Sequence, residues 1–235
     1  MPIISIACSK GGVGKSTIAT SLSVSLQKRG YSVALLDCDS QRTADEWGDF
    51  RDEDLRLDNI NHIQKLGKIS TTVKRLSQDY SFIVIDTAGH DSSSEMRLAV
   101  SLSDLVVVPL KASQADLGPV SDMADLIEEI SIHNDKLKSI YVINMANPSP
   151  RSKKVNVVQS AFSKDSDIKL FKGLLHNRDS YVQAISEGMG VIELKDKKAI
   201  NEFEAFTDFV LKNLSIKKLG IRKSGPKKKK TKKSA

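Results

Sequence analysis

The stretch "IISIACSKGGVGKST" (residues 3–17) runs from an apolar segment directly into a loop of glycine, serine and lysine. The loop nearly fits the phosphate-binding pattern G-x-x-x-x-G-K-[ST], except that Ser9 stands at the first glycine position and an extra lysine, Lys10, follows it. Such a loop needs a strand before it and a helix after it. Residues 16–29 predict that helix, because their apolar side chains recur at helical spacing and a glycine follows them.

The residues of this loop are suited to hold the phosphates of a nucleotide. Its glycines let the backbone N–H groups point inward at the positive end of the following helix, which makes an anion-binding site. Lys15 is expected to reach the β- and γ-phosphates, and the Ser16 hydroxyl to ligate Mg²⁺. The predicted nucleotide-binding residues of the loop are Gly11, Gly12, Val13, Gly14, Lys15, Ser16 and Thr17.

A second motif, "FIVIDTAGH" (82–90), is an apolar strand that ends in an acid, Asp86. Many buried strands end in aspartate, so the motif alone is weak. After a phosphate-binding loop it is stronger, because a carboxylate at that position can hold Mg²⁺ through water, opposite Ser16. We therefore predict that Ser16 and Asp86 form the metal site.

A third motif, "LLDCDSQ" (35–41), is a strand that leads into two acids. One carboxylate at the end of this strand can orient or polarise the water that attacks the nucleotide. The alternative is that the two aspartates cap a helix, and this alternative is stronger for Asp37 than for Asp39. Asp39 is the candidate catalytic residue.

The choice of base follows from a missing motif. The guanine-reading patterns N-K-x-D and T-K-x-D do not occur in the sequence, which favours ATP over GTP. Asn144, at the end of the apolar segment "SIYVIN" (139–144), is placed where its amide could contact adenine. It could equally cap a turn, and the sequence leaves both roles open.

The remaining pattern predicts an α/β fold. Five apolar segments are continuous in Val, Ile and Leu rather than alternating, which is typical of strands covered on both faces. These segments are residues 2–8, 32–37, 81–86, 105–110 and 139–144. Helical spacing occurs at residues 16–29, 66–78, 93–102, 117–132, 152–163 and 197–213. Because strands and helices alternate, we expect a mostly parallel, twisted sheet with helices on both faces.

The charge is distributed unevenly along the chain. The net charge is +7, yet residues 1–216 carry 26 basic and 29 acidic residues, while residues 217–235 carry ten Lys or Arg and no acid. We expect one domain over residues 1–216 and a disordered basic tail over residues 217–235. Such a tail suits nucleic acid or an anionic membrane surface, or it serves only as a solvated segment.

The sequence also predicts where the protein resides. No apolar run approaches the roughly 18 residues of a membrane span, and no secretory signal is recognisable. We therefore expect a cytoplasmic protein whose two cysteines, Cys8 and Cys38, stay reduced. We expect no membrane partner.

Together, "KGGVGKST", "DCDSQ" and "IDTAG" resemble the motifs of the ParA/MinD family of deviant Walker ATPases, and the resemblance extends to about residue 213. It implies a P-loop fold, ATP and Mg²⁺ as ligands, and slow basal hydrolysis. Lys10 matches the family's signature lysine, which reaches the ATP of a partner subunit, and Asp39 matches its catalytic aspartate. The implied catalytic residues are thus Lys10, Lys15 and Asp39. Ser40 departs from the family, which often has proline there.

Within this family, the chain resembles the small plasmid-partition ParA proteins. Residues 174–193 are similar to a late segment in which an arginine contributes to nonspecific DNA binding, and Arg178 matches it. The predicted DNA-binding residues are Arg178 and the tail lysines Lys227, Lys228, Lys229 and Lys230. The resemblance implies a nucleoid-associated DNA-segregation ATPase that forms a homodimer with ATP and releases DNA when a ParB-like partner stimulates hydrolysis.

A membrane-cycling ATPase similar to MinD is the alternative. Residues 209–223 mix Leu211, Leu214, Leu219 and Ile221 with cations and could form a basic surface helix. Gly220 interrupts this segment. Sedimentation with anionic vesicles and DNA binding would separate the two functions.

Overall fold

Seven parallel strands form one sheet in the part of the chain that the structure describes, with the order β3-β2-β4-β1-β5-β6-β7. The structure is a computed structural model, and it describes residues 1–89, 94–111, 118–147 and 169–216. The strands are β1 (Ile3–Ile6), β2 (Val33–Cys38), β3 (Asn61–Gln64), β4 (Phe82–Thr87), β5 (Leu105–Lys111), β6 (Lys138–Ala146) and β7 (Leu170–His176). Every paired neighbour is parallel, which confirms the predicted fold class.

Helices cover both faces of the sheet. They are α1 (Lys15–Lys28), α2 (Thr43–Glu53), α3 (Ser70–Asp79), α4 (Ser94–Ser101), α5 (Gly118–Ser131), α6 (Asp179–Ser186) and α7 (Lys197–Asn213), with a short 3₁₀ turn at Val191–Glu193. Buried side chains of α1, α2, α6 and α7 share one core with the sheet. Those of α3, α4 and α5 pack against the opposite face. The result is a three-layer α/β/α arrangement.

Strand β2 illustrates why the predicted strands are continuously apolar. Val33 and Leu35 face the core that contains α1, whereas Ala34 and Leu36 face the core that contains α3. All six residues of β2 are buried. A strand covered on both faces needs apolar side chains on both, so it loses the alternation of a half-exposed strand.

Four elements, α2, α6, β3 and β7, are not among those that the apolar pattern predicted. The buried face of α2 includes the charged Arg51, which ion-pairs with Glu193 at 2.9 Å and lies over the Trp47 ring. A buried cation interrupts the apolar spacing that marks a helix. Strand β3 lies at the edge of the sheet and contributes one aliphatic residue, Ile63.

Two predictions fall outside the described residues. These are the helix at 152–163 and the basic tail at 217–235. The division into a domain and a tail at residue 216 therefore stays a prediction. Among the described helices, none combines the length and the hydropathy that a membrane span requires.

The strand order locates a binding crevice. The chain passes from β1 to β2 on one side of β1, and from β4 to β5 on its other side, so the connections diverge beside β1. In open α/β sheets, ligands bind at the carboxyl ends of the strands where the order reverses. The predicted motifs follow β1, β2 and β4, and thus meet at this edge.

Candidate functional site

The loop between β1 and α1 has a conformation that requires glycine. Gly14 caps the start of α1 with φ 87° and ψ 31°, in the left-handed region. A Cβ atom at this position would lie 2.4 Å from Nδ2 of Asn144. No other residue fits both restrictions. The N-cap Gly14 has no side chain to bond the first N–H groups of α1, which stay available to an anion.

Lys15 extends back over the loop. Its side chain is 7% exposed, and its ammonium donates to the carbonyl oxygen of Lys10 at 3.3 Å. A Cβ atom on Gly89, just after β4, would lie 2.5 Å from the Lys15 Nζ and 2.9 Å from the Cα of Gly11. The ammonium is thus enclosed between the loop and the segment after β4, where a phosphate-binding lysine is required.

Asp86 is a buried carboxylate without a hydrogen-bond partner of good geometry among the described residues. Burial raises its pKa to about 8, and the neighbouring charge of Asp37 adds to the increase. The nearby Ser16 hydroxyl and the charge of Lys15 act in the opposite direction and lower the pKa. A buried carboxylate next to a hydroxyl fits Mg²⁺, because the cation would compensate the charge that the protein leaves unpaired.

The site contains few protein ligands for a metal. In the described part of the chain, no group of three or more His, Cys, Asp or Glu side chains could hold a metal ion. This agrees with magnesium chemistry in nucleotide sites, where one or two protein ligands act together with phosphate oxygens and water.

The two acids after β2 have different roles. Asp37 accepts hydrogen bonds from the backbone N–H groups of Ala44 and Asp45, both at 2.9 Å, so it caps the start of α2 as the alternative interpretation predicted. Asp39 is half-buried, and its Oδ1 accepts from the Gln41 N–H at 3.0 Å. Asp39 therefore lies in a turn above the sheet edge and remains the candidate to act on water.

Asn144 supports the loop. Its Nδ2 donates to the carbonyl oxygen of Val13 at 2.8 Å, and the residue is 5% exposed. It also borders a cavity of about 230 Å³ next to the start of α1. The cavity is lined by Thr17, Asn144, Met145, His176, Asn177, Arg178, Tyr181, Val182 and Ile185. The cavity has a mixed apolar and polar lining, which suits a nucleobase.

Arg178 lies at this cavity and is engaged in an ion pair. Its Nη2 donates to Oε1 of Glu202 at 2.5 Å, and its side chain is 18% exposed. His176 Nδ1 lies 2.9 Å from the same oxygen. Burial alone would raise the pKa of Glu202, but hydrogen bonds from Arg178 and His176 outweigh it and lower the pKa. The guanidinium charge is thus already balanced within the protein.

The structure brings together most of the residues that the sequence predicted. The loop, Asp39, Asp86 and Asn144 share one edge of the sheet, and Arg178 lies on the far side of the cavity. The tail lysines, residues 227–230, lie outside the described residues. Sequence reasoning missed the cavity wall around Tyr181 and the lysine at the end of β5, Lys111. The position of Lys111 at the carboxyl end of a predicted strand was the available signal.

Comparison with known proteins agrees with this geometry. Residues 4–191 match the family described as the CobQ/CobB/MinD/ParA nucleotide binding domain. A ParA protein of Rhizobium radiobacter is 28% identical over 222 residues, which are 92% of this chain and 98% of that protein. The maintenance of carboxysome distribution protein A of Halothiobacillus neapolitanus is 26% identical over 88% of this chain and 95% of its own length.

A solved structure shares the fold at low identity. The apo structure of McdA from Cyanothece superposes with a TM-score of 0.72 at 16% identity, covering 89% of this chain and 99% of that chain. The family model matches most of the chain, and the two-lysine loop agrees with that match. Together they establish the family. The chain belongs to the CobQ/CobB/MinD/ParA nucleotide-binding family, and within it to the ParA/MinD ATPases.

Proposed function

We propose that this protein is a DNA-segregation ATPase that binds DNA nonspecifically as an ATP-bound dimer and releases it after hydrolysis. The observation that carries the proposal is the two-lysine loop in a chain that aligns with a ParA protein over nearly its whole length. ParA/MinD proteins are ATPases. ATP drives the cycle of DNA binding and release. The outcome of the cycle is a change in the state of the protein.

The ligand in this proposal is ATP with Mg²⁺. The loop, the ammonium of Lys15 and the N-terminus of α1 provide positive charge for the phosphates. Ser16 and the unpartnered Asp86 would hold the metal ion, which would balance the negative charge of the phosphates. The cavity beside Asn144 would accept the base. We take adenine as that base, because no guanine-reading motif occurs in the sequence.

The dimer in this proposal depends on Lys10. Among the described residues its ammonium makes no hydrogen bond or ion pair, in contrast to Lys15, and its neighbours Gly11 and Gly12 are exposed. An uncompensated cation on an exposed loop can reach the phosphates of a facing subunit. There it would stabilise the negative charge of the transition state, which is the task of an arginine finger.

Light scattering with and without ATP tests the dimer. We expect the wild type to double its mass with Mg²⁺-ATP, whereas Lys10→Ala should dimerise at least about tenfold more weakly, the effect of losing one charge-assisted contact. Lys74→Ala is the control, since Lys74 is an exposed lysine on α3. A mass that does not respond to ATP in the wild type would contradict the proposed function.

The proposed DNA contact rests mainly on the basic tail. The Arg178 charge is offset by Glu202, so Arg178 has less charge to offer to a phosphate backbone than a free arginine. The residues before the tail have more acidic than basic groups. A chain with this charge distribution attracts DNA through its tail, and the affinity should fall steeply with salt. An aromatic content of 5% offers little for base stacking.

Truncation after Ile216 tests this contact. We expect the truncated protein to bind an arbitrary duplex at least about tenfold more weakly at low salt, because up to ten phosphate contacts are lost. Its ATPase activity without DNA should be unchanged. Arg178→Ala should weaken DNA binding less than truncation does. Equal DNA affinity of the truncated and full-length proteins in a gel shift would remove the tail from the proposal.

The packing of α7 argues against the membrane-cycling alternative. Leu211 is buried in the core, and Leu214 and Ile216 pack against it. Two of the four apolar residues that would face a membrane, Leu211 and Leu214, therefore stabilise the domain instead. Sedimentation of the full chain with anionic vesicles remains the direct test, and binding at physiological salt would favour the alternative.

A further inference from the structure

Lys111 lies against the phosphate-binding loop, although it belongs to no part of the loop motif. It is the last residue of β5, where the parallel register pairs it with Asn144 of β6. Asn144 is bonded to the loop at Val13, so the ends of β5 and β6 both adjoin the loop. A Cβ atom on Gly12 would lie 3.7 Å from the Lys111 Nζ. The ammonium thus lies beside the loop on the β5 side.

The ammonium of Lys111 has no partner among the residues that the structure describes. The residue is half-buried, and among the described residues its Nζ makes no hydrogen bond or ion pair. Lys10 and Lys15 belong to the same loop, and neither forms an ion pair with a described carboxylate. The Lys15 and Lys111 ammonium groups lie beside the same loop, and a bound polyanion would compensate both charges. Lys111 therefore adds a second positive charge from the same subunit to the phosphate-binding loop.

The part of the loop that lies beside Lys111 indicates which phosphate this lysine would contact. The Lys15 ammonium, which reaches the β- and γ-phosphates in such loops, lies near Gly11 and Gly89. Gly12 is adjacent to Gly11, so Lys111 is at the same end of the loop as the Lys15 ammonium. The opposite end of the loop leads into α1, where the backbone N–H groups receive the phosphates closer to the base.

We propose that Lys111 contacts the terminal phosphate of the bound nucleotide and favours a triphosphate over a diphosphate. The inference rests on the proposed function, because it takes ATP as the ligand. Lys111 acts within its own subunit, whereas Lys10 reaches the partner subunit. Selection of the triphosphate by a lysine on the sheet gives the monomer a way to distinguish ATP from ADP before any dimer forms.

Equilibrium binding of Mg²⁺-ATP and Mg²⁺-ADP to full-length Lys111→Gln tests the inference. We expect ATP to bind about tenfold to a hundredfold more weakly and ADP to change by less than about threefold, since one contact between charged groups is lost only with ATP. Lys111→Arg should restore most of the difference, because it keeps the charge. Lys74→Gln is the matched control, because Lys74 is an exposed lysine on α3; this variant should bind both nucleotides as the wild type does.

The same titrations in a Lys10→Ala background separate Lys111 from the dimer. The loss of ATP affinity should persist there, and its disappearance would assign Lys111 to the subunit interface and overturn the inference. Equal weakening of ATP and ADP, or no weakening of either, would also overturn it. A wild type that binds neither nucleotide would overturn the proposed function as well, whereas normal ATP binding by Lys111→Gln would overturn this inference alone. Thermal melting without nucleotide checks that each variant is folded.

Discussion

Asp39→Ala should lower the rate of ATP hydrolysis at least about a hundredfold, the usual effect of losing a group that orients or deprotonates the reacting water. Asp39 is half-buried after β2, beside the crevice at the carboxyl ends of the strands. It is not part of the phosphate-binding loop. ATP affinity should therefore stay within about threefold of the wild type, a difference of less than 1 kcal/mol. Phosphate release and nucleotide titration measure the two quantities.

Asp39→Asn makes this prediction sharper. The amide oxygen of asparagine can still accept the Gln41 N–H, so the turn after β2 is preserved while the negative charge is lost. The asparagine variant should be as inactive as the alanine variant if the carboxylate acts on water. Asp49→Ala is the control, since Asp49 is exposed on α2. Full activity in Asp39→Asn would show that the turn, not the charge, is what matters.

Asp37 shows why the two acids after β2 must be tested separately. It is buried and holds the N–H groups at the start of α2, so its removal leaves those donors unpaired. Such a loss costs about 1–3 kcal/mol of stability. A variant at Asp37 would lose activity through misfolding of α2, which a measurement of turnover alone would confuse with a catalytic role.

The sequence predicts the central part of the fold because that part has strong local signals. Strands β1, β2, β4, β5 and β6 are buried on both faces, so their apolar character is visible without any tertiary information. Strand β3 is an edge strand with mainly polar residues, and α2 buries an arginine that ion-pairs with the distant Glu193. A pairing across so much of the chain has no local pattern, which is why α2 was not predicted. Strand β3 was not predicted because its residues are mainly polar.

The candidate site also contains residues that have a local sequence signal and residues that have none. The loop follows the buried strand β1, and Asp86 lies near the end of the buried strand β4, so both motifs are contiguous in the sequence. Lys111 and the cavity wall around Tyr181 come from β5 and α6, and they reach the loop only because the sheet order places β5 beside β1 and β6. The ion pair of Arg178 with Glu202 is also tertiary, so no local pattern indicates that the arginine is already paired.

Asp86→Asn should make the nucleotide-free protein more stable while it removes the effect of Mg²⁺ on ATP binding. The carboxylate is buried without a partner among the described residues, and asparagine has the same shape without the charge. We expect a gain of about 1–3 kcal/mol in the free energy of unfolding under conditions where the carboxylate would be ionised. Mg²⁺ should strengthen ATP binding at least about tenfold in the wild type and not in the variant, because a metal ligand is lost.

The pH dependence of stability identifies the cause of that gain. Because the pKa of Asp86 is about 8 in the folded protein and 3.8 in the unfolded chain, the folded state holds a proton that the unfolded state releases between these values. This group's contribution therefore makes the protein less stable as pH rises from about 4 to about 8, and Asp86→Asn should lose that contribution to the slope. Urea unfolding of both proteins in EDTA measures it, with Asp79→Asn, an exposed acid on α3, as the control. Identical slopes of stability against pH for the wild type and Asp86→Asn would mean that the pKa of Asp86 is not raised in the folded protein. An unchanged effect of Mg²⁺ on ATP binding would remove Asp86 from the metal site.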